Sequence, residues 1–219
     1  MAHILHLDSS PRGERSHSRR ITKEFIEARM QAHPSDIVTY RDIGRNSIPH
    51  VDELWIAAAY TPPEQRTPEL AQAISLSDRL IDEFLAADLY VIGIPMYNFS
   101  VPSTFKAYID QIVRVGRTFA FEPEDTANPY KPLVLGKKML IITARGGSGF
   151  EPGGRNETLN HQDPYLTTVF GFIGITDITF IHIENDEFGG TSLARSLAAA
   201  RIQAQLLASD EHHLLRNFG

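Results

Sequence analysis

The chain contains 219 residues, with no cysteine and a formal net charge of -6. The lack of cysteine excludes disulfides, thiolate catalysis and thiolate metal sites, and the negative charge argues against general binding to nucleic acid or to acidic membranes. No apolar stretch at the amino terminus is long enough for a signal peptide or a membrane span, and no linker-like composition divides the chain. We therefore expect a single cytoplasmic domain over residues 1–219.

Apolar segments alternate with amphipathic segments along the chain. Short runs rich in Ile, Leu and Val predict five strands, at residues 4–8, 37–41, 89–94, 138–143 and 178–183. Apolar residues at helical spacing predict helices at residues 18–32, 70–87, 104–115 and about 192–207. This alternation predicts an α/β fold, a doubly wound sheet of five parallel strands with helices on both faces. We expect the strand order 2-1-3-4-5, which brings the loops after the first and third strands together at one ligand-binding edge.

The loop after the first predicted strand, residues 8–20, is rich in serine and directly precedes a helix. Hydroxyl groups and the free backbone N–H groups of a helix start can converge on a phosphate, with a favourable dipole. A serine-rich stretch can also be a simple turn with a helix cap, but its place after the first strand favours a phosphate site. The arginines of this loop are not included, since some of them are expected to face solvent. The loop has neither glycine motif for a triphosphate or a dinucleotide, so we predict a monoester phosphate, such as that of FMN, at Ser10, Ser16, His17 and Ser18.

The third predicted strand leads into Pro95, and a run of aromatic and amide residues follows. Proline removes one backbone donor, and the residues after it offer a flat, hydrogen-bonding wall for a planar heteroaromatic ring. Met96 and Phe99 are expected to pack on the ring, and the main chain around Tyr97 and Asn98 is expected to meet its polar edge. Tyr97 is expected to pack rather than to transfer protons, because an ordinary tyrosine has a pKa near ~10.

The loop after the fourth predicted strand contains two adjacent glycines. Glycines allow a ligand to approach the backbone closely, and the N–H groups exposed there could stabilise the negative charge that appears at the N1/C2-carbonyl side of a reduced isoalloxazine ring. This pattern alone is typical of an ordinary flexible loop, so it gains weight only together with the two segments above. The residues predicted here are Ala144, Arg145, Gly146 and Gly147.

Four aromatic residues could line a slot in which flat acceptors stack, although each could equally be a core or subunit-contact residue. They are Phe119, Phe121, Tyr130 and Tyr165. Residues 122–132 and 148–163 are predicted to be variable loops over the pocket that govern substrate choice. The histidines show no recognised ligand spacing, so no metal site is expected. Those considered are His161, His182, His212 and His213.

A family resemblance runs through these segments. It is carried by residues that resemble the NAD(P)H-dependent FMN reductase and quinone reductase superfamily, namely Gly93, Pro95, Tyr97, Asn98, Pro102, Lys106 and Asp110. The run from Pro95 to Phe99 is similar to the FMN-dependent NADH-azoreductase branch, and residues 136–138 and 170–177 also resemble this family. The resemblance implies a flavodoxin-like fold that binds FMN. The FMN contacts that it implies are Ser10, Ser16, His17, Ser18, Pro95, Met96, Tyr97, Asn98, Phe99, Ala144, Arg145, Gly146 and Gly147.

The same resemblance implies an activity. Members of the family transfer two electrons from NADH or NADPH to quinones and aromatic azo compounds by a ping-pong mechanism, and FMN carries the chemistry without an essential catalytic side chain. They are homodimers with the flavin site at the subunit boundary. This would suit Trp55 and Tyr60, aromatic residues expected to be exposed in the long connection after the second strand, although each could instead cover its own core. A flavodoxin-like electron carrier or a flavin-binding sensor without its own substrate is the alternative, and a reductase that releases reduced FMN to a partner is another. The sequence leaves open the choice between NADH and NADPH and the physiological acceptor.

Overall fold

All long strands belong to one parallel sheet. The computed structural model describes residues 1–209, so His212 and His213 lie outside the described residues. Within this range the long strands are β1 (His3–Asp8), β2 (Ile37–Asp42), β3 (Leu89–Pro95), β6 (Lys138–Ala144) and β7 (Asp177–Ile183), and a hairpin is formed by β4 (Phe119–Phe121) and β5 (Tyr130–Pro132). The helices are α1 (His17–Ala32), α2 (Glu53–Tyr60), α3 (Pro68–Ala86), α4 (Ser103–Ile112), α5 (Asp163–Ile173) and α6 (Gly190–Ser209).

The strand order of the sheet is β2-β1-β3-β6-β7, and all neighbours are parallel. Because β6 and β7 are the fourth and fifth long strands, this order confirms the predicted 2-1-3-4-5 arrangement of a doubly wound α/β fold. The register places Asp8 beside Gly93, and Pro95 beside Ala144. The carboxyl ends of β1, β3 and β6 therefore meet at one edge, where the three predicted ligand segments begin.

Helices cover both faces of the sheet. On one face, Ile21 and Phe25 of α1 pack with Ala200 and Ala204 of α6, and the small alanine side chains let the two helices approach closely. The other face is covered by α3, α4 and α5, through buried residues that include Leu80, Phe84, Phe105, Ile109, Leu166 and Phe170. The central strands are buried on both sides, which explains their nearly continuous apolar sequences.

The structure contains elements that the apolar periodicity does not predict. Helix α2 is short and rich in alanine, and the hairpin strands have three residues each, so residues 122–132 are not entirely the loop expected from the sequence. Helix α5 follows the predicted loop 148–163. It has Pro164 in its first turn and Gly174, with a φ of 114°, as its cap, which is the usual arrangement of proline and glycine at helix ends.

The two aromatic residues expected to be exposed after β2 differ in their surroundings. Tyr60 is 78% exposed, as expected. Trp55 is half-buried, and its indole N–H donates to Gln111 Oε1 at 2.8 Å, so this ring is partly covered by its own chain. Within residues 1–209, no helix is both long enough and apolar enough to cross a membrane.

Gly93 on β3 is required by close packing rather than by an unusual backbone angle. A Cβ atom at this position would lie 2.4 Å from Asp8 Oδ1 and 3.2 Å from Thr22 Cγ2, and both side chains are buried. We expect Gly93→Ala to lower the free energy of unfolding by about 1–3 kcal/mol, measured by urea denaturation, because the buried carboxylate has no room to retreat. Gly171→Ala is the matched control, since a Cβ there meets no atom within 4 Å. Equal effects of the two substitutions would contradict this account.

Candidate functional site

A cleft lies at the carboxyl edge of the sheet, beside the ends of β1, β3 and β6. Its volume is about 200 Å³. It brings together residues of all three predicted segments: Ser10, Ser16 and His17 from the first, Pro95, Met96 and Tyr97 from the second, and Ala144 and Gly146 from the third. The remaining predicted cofactor residues adjoin these positions along the chain but do not line the cleft; they are Ser18, Asn98, Phe99, Arg145 and Gly147. The segments therefore converge, while the contact of each residue with a cofactor stays a prediction.

The first segment ends in the amino terminus of α1, which Ser16 caps. Its Oγ accepts a hydrogen bond from the Arg19 N–H at 3.3 Å and lies 3.2 Å from the Ser18 Oγ. The backbone N–H groups of His17 and Ser18 have no partner in the part of the chain that the structure describes. Unpaired N–H groups of a helix terminus, with hydroxyl groups beside them, are a donor set that suits a phosphate.

Arg19 supports this segment from behind. Its guanidinium donates to the carbonyl oxygen of Ser10 at 2.7 Å and to both carboxylate oxygens of Asp42 at 2.7 and 2.9 Å. Burial alone would raise the pKa of Asp42, but the hydrogen bond from Arg19 holds it below its usual value. Arg19 therefore fixes the backbone at Ser10 and does not line the cleft.

The second segment forms a tight turn after β3. Tyr97 and Ser100 exchange two backbone hydrogen bonds, of 3.0 and 3.1 Å. Between them, Asn98 and Phe99 have φ angles of 49° and 68°, in the left-handed region that residues other than glycine rarely adopt. The turn leaves the Tyr97 and Phe99 side chains 37% and 46% exposed. Tyr97 lines the cleft and Phe99 adjoins it, so two exposed aromatic side chains are available there, while their contact with a cofactor stays a prediction.

The residues just before α5 hold this turn in place. The Gln162 side chain is fully buried, and its Nε2 donates to the Pro95 carbonyl oxygen at 3.1 Å. Next to it, the His161 N–H donates to the Phe99 carbonyl oxygen at 3.0 Å. The sequence predicts a variable substrate loop for residues 148–163, but the end of this loop also anchors the second segment of the site.

The third segment is held by the loop after β7. The Met96 N–H donates to the Ala144 carbonyl oxygen at 2.8 Å, which joins the second segment to the third. Beyond this point, all carbonyl groups of residues 145–147 accept hydrogen bonds from residues 185–187. The pairs are Asn185 N–H to Gly147, Asp186 N–H to Arg145 and Glu187 N–H to Gly146, each at 3.1 Å. The N–H groups of the two glycines have no partner within residues 1–209, so they remain available to a ligand.

The Arg145 side chain turns away from the cleft. It is buried, its Cζ lies 5.5 Å from the centroid of the Phe150 ring, and its Nη2 donates to Asp163. Asp163 also accepts a hydrogen bond from the Asn160 side chain at 2.9 Å, and its Oδ2 lies 3.0 Å from His182 Nε2. Burial alone would raise the pKa of Asp163, but these hydrogen bonds hold it well below its usual value. Across residues 1–209, no group of three or more His, Asp or Glu side chains is arranged to hold a metal ion.

Two acidic residues that the sequence pattern does not single out also line the cleft. The Asp186 carboxylate contacts Arg12 Nη1 at 2.5 Å and His17 Nε2 at 2.9 Å. Glu187 lies against Gly146, where an added Cβ would be 2.5 Å from Glu187 Cδ, so a larger residue there would displace the exposed Glu187 side chain. The sequence signal for this pair is its place directly after the last strand, whose carboxyl end lies at the same edge of the sheet.

The aromatic residues predicted for substrate binding are divided between two places. Phe119, Phe121 and Tyr130 form a group of contacting rings with Phe172, with centroid distances of 4.9 to 6.1 Å. Phe172 lies near the carboxyl end of α5, whereas the amino end of this 11-residue helix adjoins the cleft, roughly 14 Å away along the axis. Tyr165 packs instead against the core, where burial raises its pKa to about 12. Substrate binding by these residues stays a prediction.

Comparison with known proteins identifies the family. A family model described as a flavodoxin-like fold matches residues 2–207. The chain belongs to this flavodoxin-like family. The FMN-dependent NADH:quinone oxidoreductase 2 of Trichormus variabilis is 58% identical to it over 202 residues, which cover 92% of this chain and 95% of the relative. The FMN-dependent NAD(P)H:quinone oxidoreductase 1 of Pseudomonas aeruginosa is 48% identical over 209 residues, covering 95% and 99%.

Solved structures give the same answer for the fold of this flavodoxin-like chain. The crystal structure of an azoreductase from Bacillus anthracis superposes with a TM-score of 0.85 at 27% sequence identity, and the match covers 95% of this chain and 99% of that one. The resemblance to flavodoxin-like quinone reductases and azoreductases is thereby confirmed.

The lowered pKa of Asp163 makes a prediction about stability and pH. A carboxyl group whose pKa is lowered by folding stabilises the native state above its unfolded pKa, about 3.9 for aspartate, and this stabilisation is lost as the pH falls through the lower folded value. We expect Asp163→Asn to be less stable than the wild type at pH 7, with a difference that shrinks below about pH 4. Chemical denaturation between pH 7 and pH 3 measures this.

Glu27→Gln is the control for this measurement, because Glu27 is an exposed carboxylate on α1 paired with Lys23 at 3.8 Å. It should differ little from the wild type at either pH. A destabilisation by Asp163→Asn that is the same at all pH values would contradict the assignment to the carboxylate charge.

Proposed function

We propose that this protein is an FMN-dependent oxidoreductase that transfers two electrons from NADH or NADPH to quinones and aromatic azo compounds. The names of the relatives described above support this activity. The observation that carries the proposal is the cleft at which three separated segments of the chain meet, with unpaired backbone donors in the first and in the third.

The amino terminus of α1 is the proposed site of the FMN phosphate. The N–H groups of His17 and Ser18 and the hydroxyl groups of Ser10, Ser16 and Ser18 would supply neutral donors, and the helix dipole has the favourable sign there. Arg19 keeps the Ser10 carbonyl oxygen turned back toward the protein, away from the anion. This end of the site would fix the cofactor, while the ring lies over the ends of β3 and β6.

Residues 95–99 and 144–147 border the proposed ring site. The N–H groups of Gly146 and Gly147 can donate to the N1/C2-carbonyl side of the ring, where negative charge appears on reduction, and Met96 and Phe99 provide an apolar surface. FMN, when bound, supplies the two-electron redox chemistry. The protein's contribution is to orient the reactants and to stabilise charge at a fixed place.

No dedicated acid or base belongs to the proposal. His17 is held by Asp186, and Tyr97 is a partly exposed aromatic residue of the cleft, so protons would come from solvent. Because the same aromatic wall borders the open side of the ring site, the nicotinamide and the acceptor would occupy one place in turn. Ping-pong kinetics follow from this arrangement.

Other proposals extend to the assembly and its location. The Tyr130 ring contacts the rings of Phe121 and Phe172, and Phe121, Tyr130 and Phe172 are 50%, 50% and 37% exposed. An exposed apolar patch of this kind is typical of an interface, so a second copy of the chain covering it would bring the aromatic group toward the partner's cleft and place the flavin site at the subunit boundary.

We further propose one domain over residues 1–219 in the cytoplasm, with no nucleic-acid or membrane partner. The lack of cysteine supports the compartment.

Anaerobic reduction tests the activity directly. We expect the purified yellow protein to be bleached by NADH or NADPH and re-oxidised by menadione, with parallel lines in double-reciprocal plots of the two-substrate kinetics. Steady-state rates with both nicotinamides and a panel of quinones and azo dyes would define the preferences. An electron carrier or sensor would not turn over in this way. Separation of the flavin from the protein on gel filtration would favour the other alternative, a reductase that releases reduced FMN to a partner.

The proposed dimer makes a separate prediction. We expect the wild type to have the mass of two chains by light scattering after size-exclusion chromatography, and Tyr130→Glu to shift it toward one chain, because burying a new charge in the interface is unfavourable. Quinone turnover should fall in the same variant. Ile202→Ser, which changes an exposed residue of α6, is the control. A wild type that is monomeric and fully active would contradict the shared site.

A further inference from the structure

Asp186 places a negative charge beside the proposed phosphate site. It lies in the loop between β7 and α6, and it lines the same cleft as Ser10 and Ser16. Its two carboxylate oxygens contact different side chains of the first segment: Oδ2 lies 2.5 Å from Arg12 Nη1, and Oδ1 lies 2.9 Å from His17 Nε2. One carboxylate therefore engages both Arg12 and His17 at this end of the cleft.

The contacts of the His17 ring determine which of its two nitrogens carries the proton. Arg20 Nη2 lies 3.1 Å from His17 Nδ1. Because arginine can only donate, Nδ1 must accept, so Nε2 carries the proton and donates it to Asp186. The His17 ring is thus aligned between Arg20 and Asp186, and another acceptor can take its Nε2–H only by displacing Asp186.

These contacts leave neutral groups for the phosphate. The unpaired N–H groups of His17 and Ser18 and the nearby serine hydroxyls are not engaged by Asp186, whereas the Arg12 and His17 side chains are. The Asp186 side chain is 20% exposed, so its charge is only partly screened by water. A dianionic phosphate bound there would lie near a carboxylate that already binds the Arg12 and His17 side chains.

We propose that Asp186 sets how strongly the site discriminates FMN from flavins without a phosphate, because its carboxylate competes with the FMN phosphate for Arg12 and His17. The proposal rests on the proposed placement of the phosphate at the amino terminus of α1. Binding of FMN exchanges one anionic partner of these side chains for another. Riboflavin has no phosphate and makes no such exchange, so its affinity does not depend on the charge at position 186.

The expected effect follows from Coulomb interaction at close range. Removing one charge beside a dianion in a partly exposed site should change affinity by roughly tenfold. We expect Asp186→Asn to bind FMN about tenfold more tightly, with riboflavin affinity unchanged, and the gain to diminish at high salt. Titration of the flavin-free full-length protein, followed by the quenching of flavin fluorescence, gives both dissociation constants without any activity assay.

Two further variants make the test specific. Arg12→Gln added to Asp186→Asn should remove most of the gain in FMN affinity, because the Arg12 guanidinium that Asp186→Asn releases for the phosphate is then absent. Glu27→Gln removes an exposed carboxylate of α1 and should leave both affinities unchanged. Asp186→Ser repeats the charge removal if the asparagine variant does not fold.

The possible outcomes are distinct. Weaker FMN binding by Asp186→Asn would mean that Asp186 orients Arg12 and His17 for the phosphate, and an unchanged ratio of FMN to riboflavin affinity would mean that it does not act on the phosphate; either result overturns the proposal. Ser10→Ala tests the placement itself, because it removes a hydroxyl group that lines the cleft and should weaken FMN binding but not riboflavin binding. An FMN affinity that Ser10→Ala leaves unchanged would refute the phosphate site, whatever Asp186 does, and neither result depends on quinone turnover.

Discussion

The backbone hydrogen bonds between residues 185–187 and residues 145–147 are the interaction on which the site depends. Regular pairing of β6 with β7 ends at Ala144 and Ile183, and the bonds beyond it continue the contact into two loops. They satisfy the carbonyl groups of a glycine-containing segment and so offset part of the conformational entropy that this segment loses on becoming ordered. They also leave its N–H groups unpaired and fix the position of Asp186.

The other segments are held in a comparable way by groups that are distant in the sequence. Gln162 binds the carbonyl of Pro95, Arg145 reaches Asp163, and Arg19 binds the carbonyl of Ser10. Each contact satisfies a polar group that is fully or partly buried, and an unsatisfied group of this kind costs about 1–3 kcal/mol. The loops at the edge of the sheet are therefore positioned by a rigid scaffold and a few buried side chains, which is the arrangement expected for a binding site built on loops.

Much of this architecture could be predicted from the sequence, for identifiable reasons. The long strands are buried on both faces, so their apolar runs are continuous, and parallel topology then brings the ends of β1, β3 and β6 together. What the sequence does not reveal is the set of partners made by single polar residues far apart in the chain. Gln162 is 67 residues from Pro95, and Asp186 is 174 residues from Arg12, so no local pattern links either residue to its partner. In the group of rings on the β4–β5 hairpin, Phe121 and Tyr130 are paired across the two strands, whereas the contacts with Phe172 of α5 again join residues far apart in the chain.

Phe99 shows how local geometry can restrict change in this protein. A phenylalanine with a φ of 68° carries a steric penalty of roughly 1–2 kcal/mol relative to the right-handed conformation, and a glycine would remove it. Glycine would also remove the exposed ring beside the cleft, and a β-branched side chain would increase the penalty. Position 99 can therefore have a relaxed backbone conformation or an aromatic ring beside the cleft, but not both. Substitutions that relax the turn should expose the neighbouring surface to water.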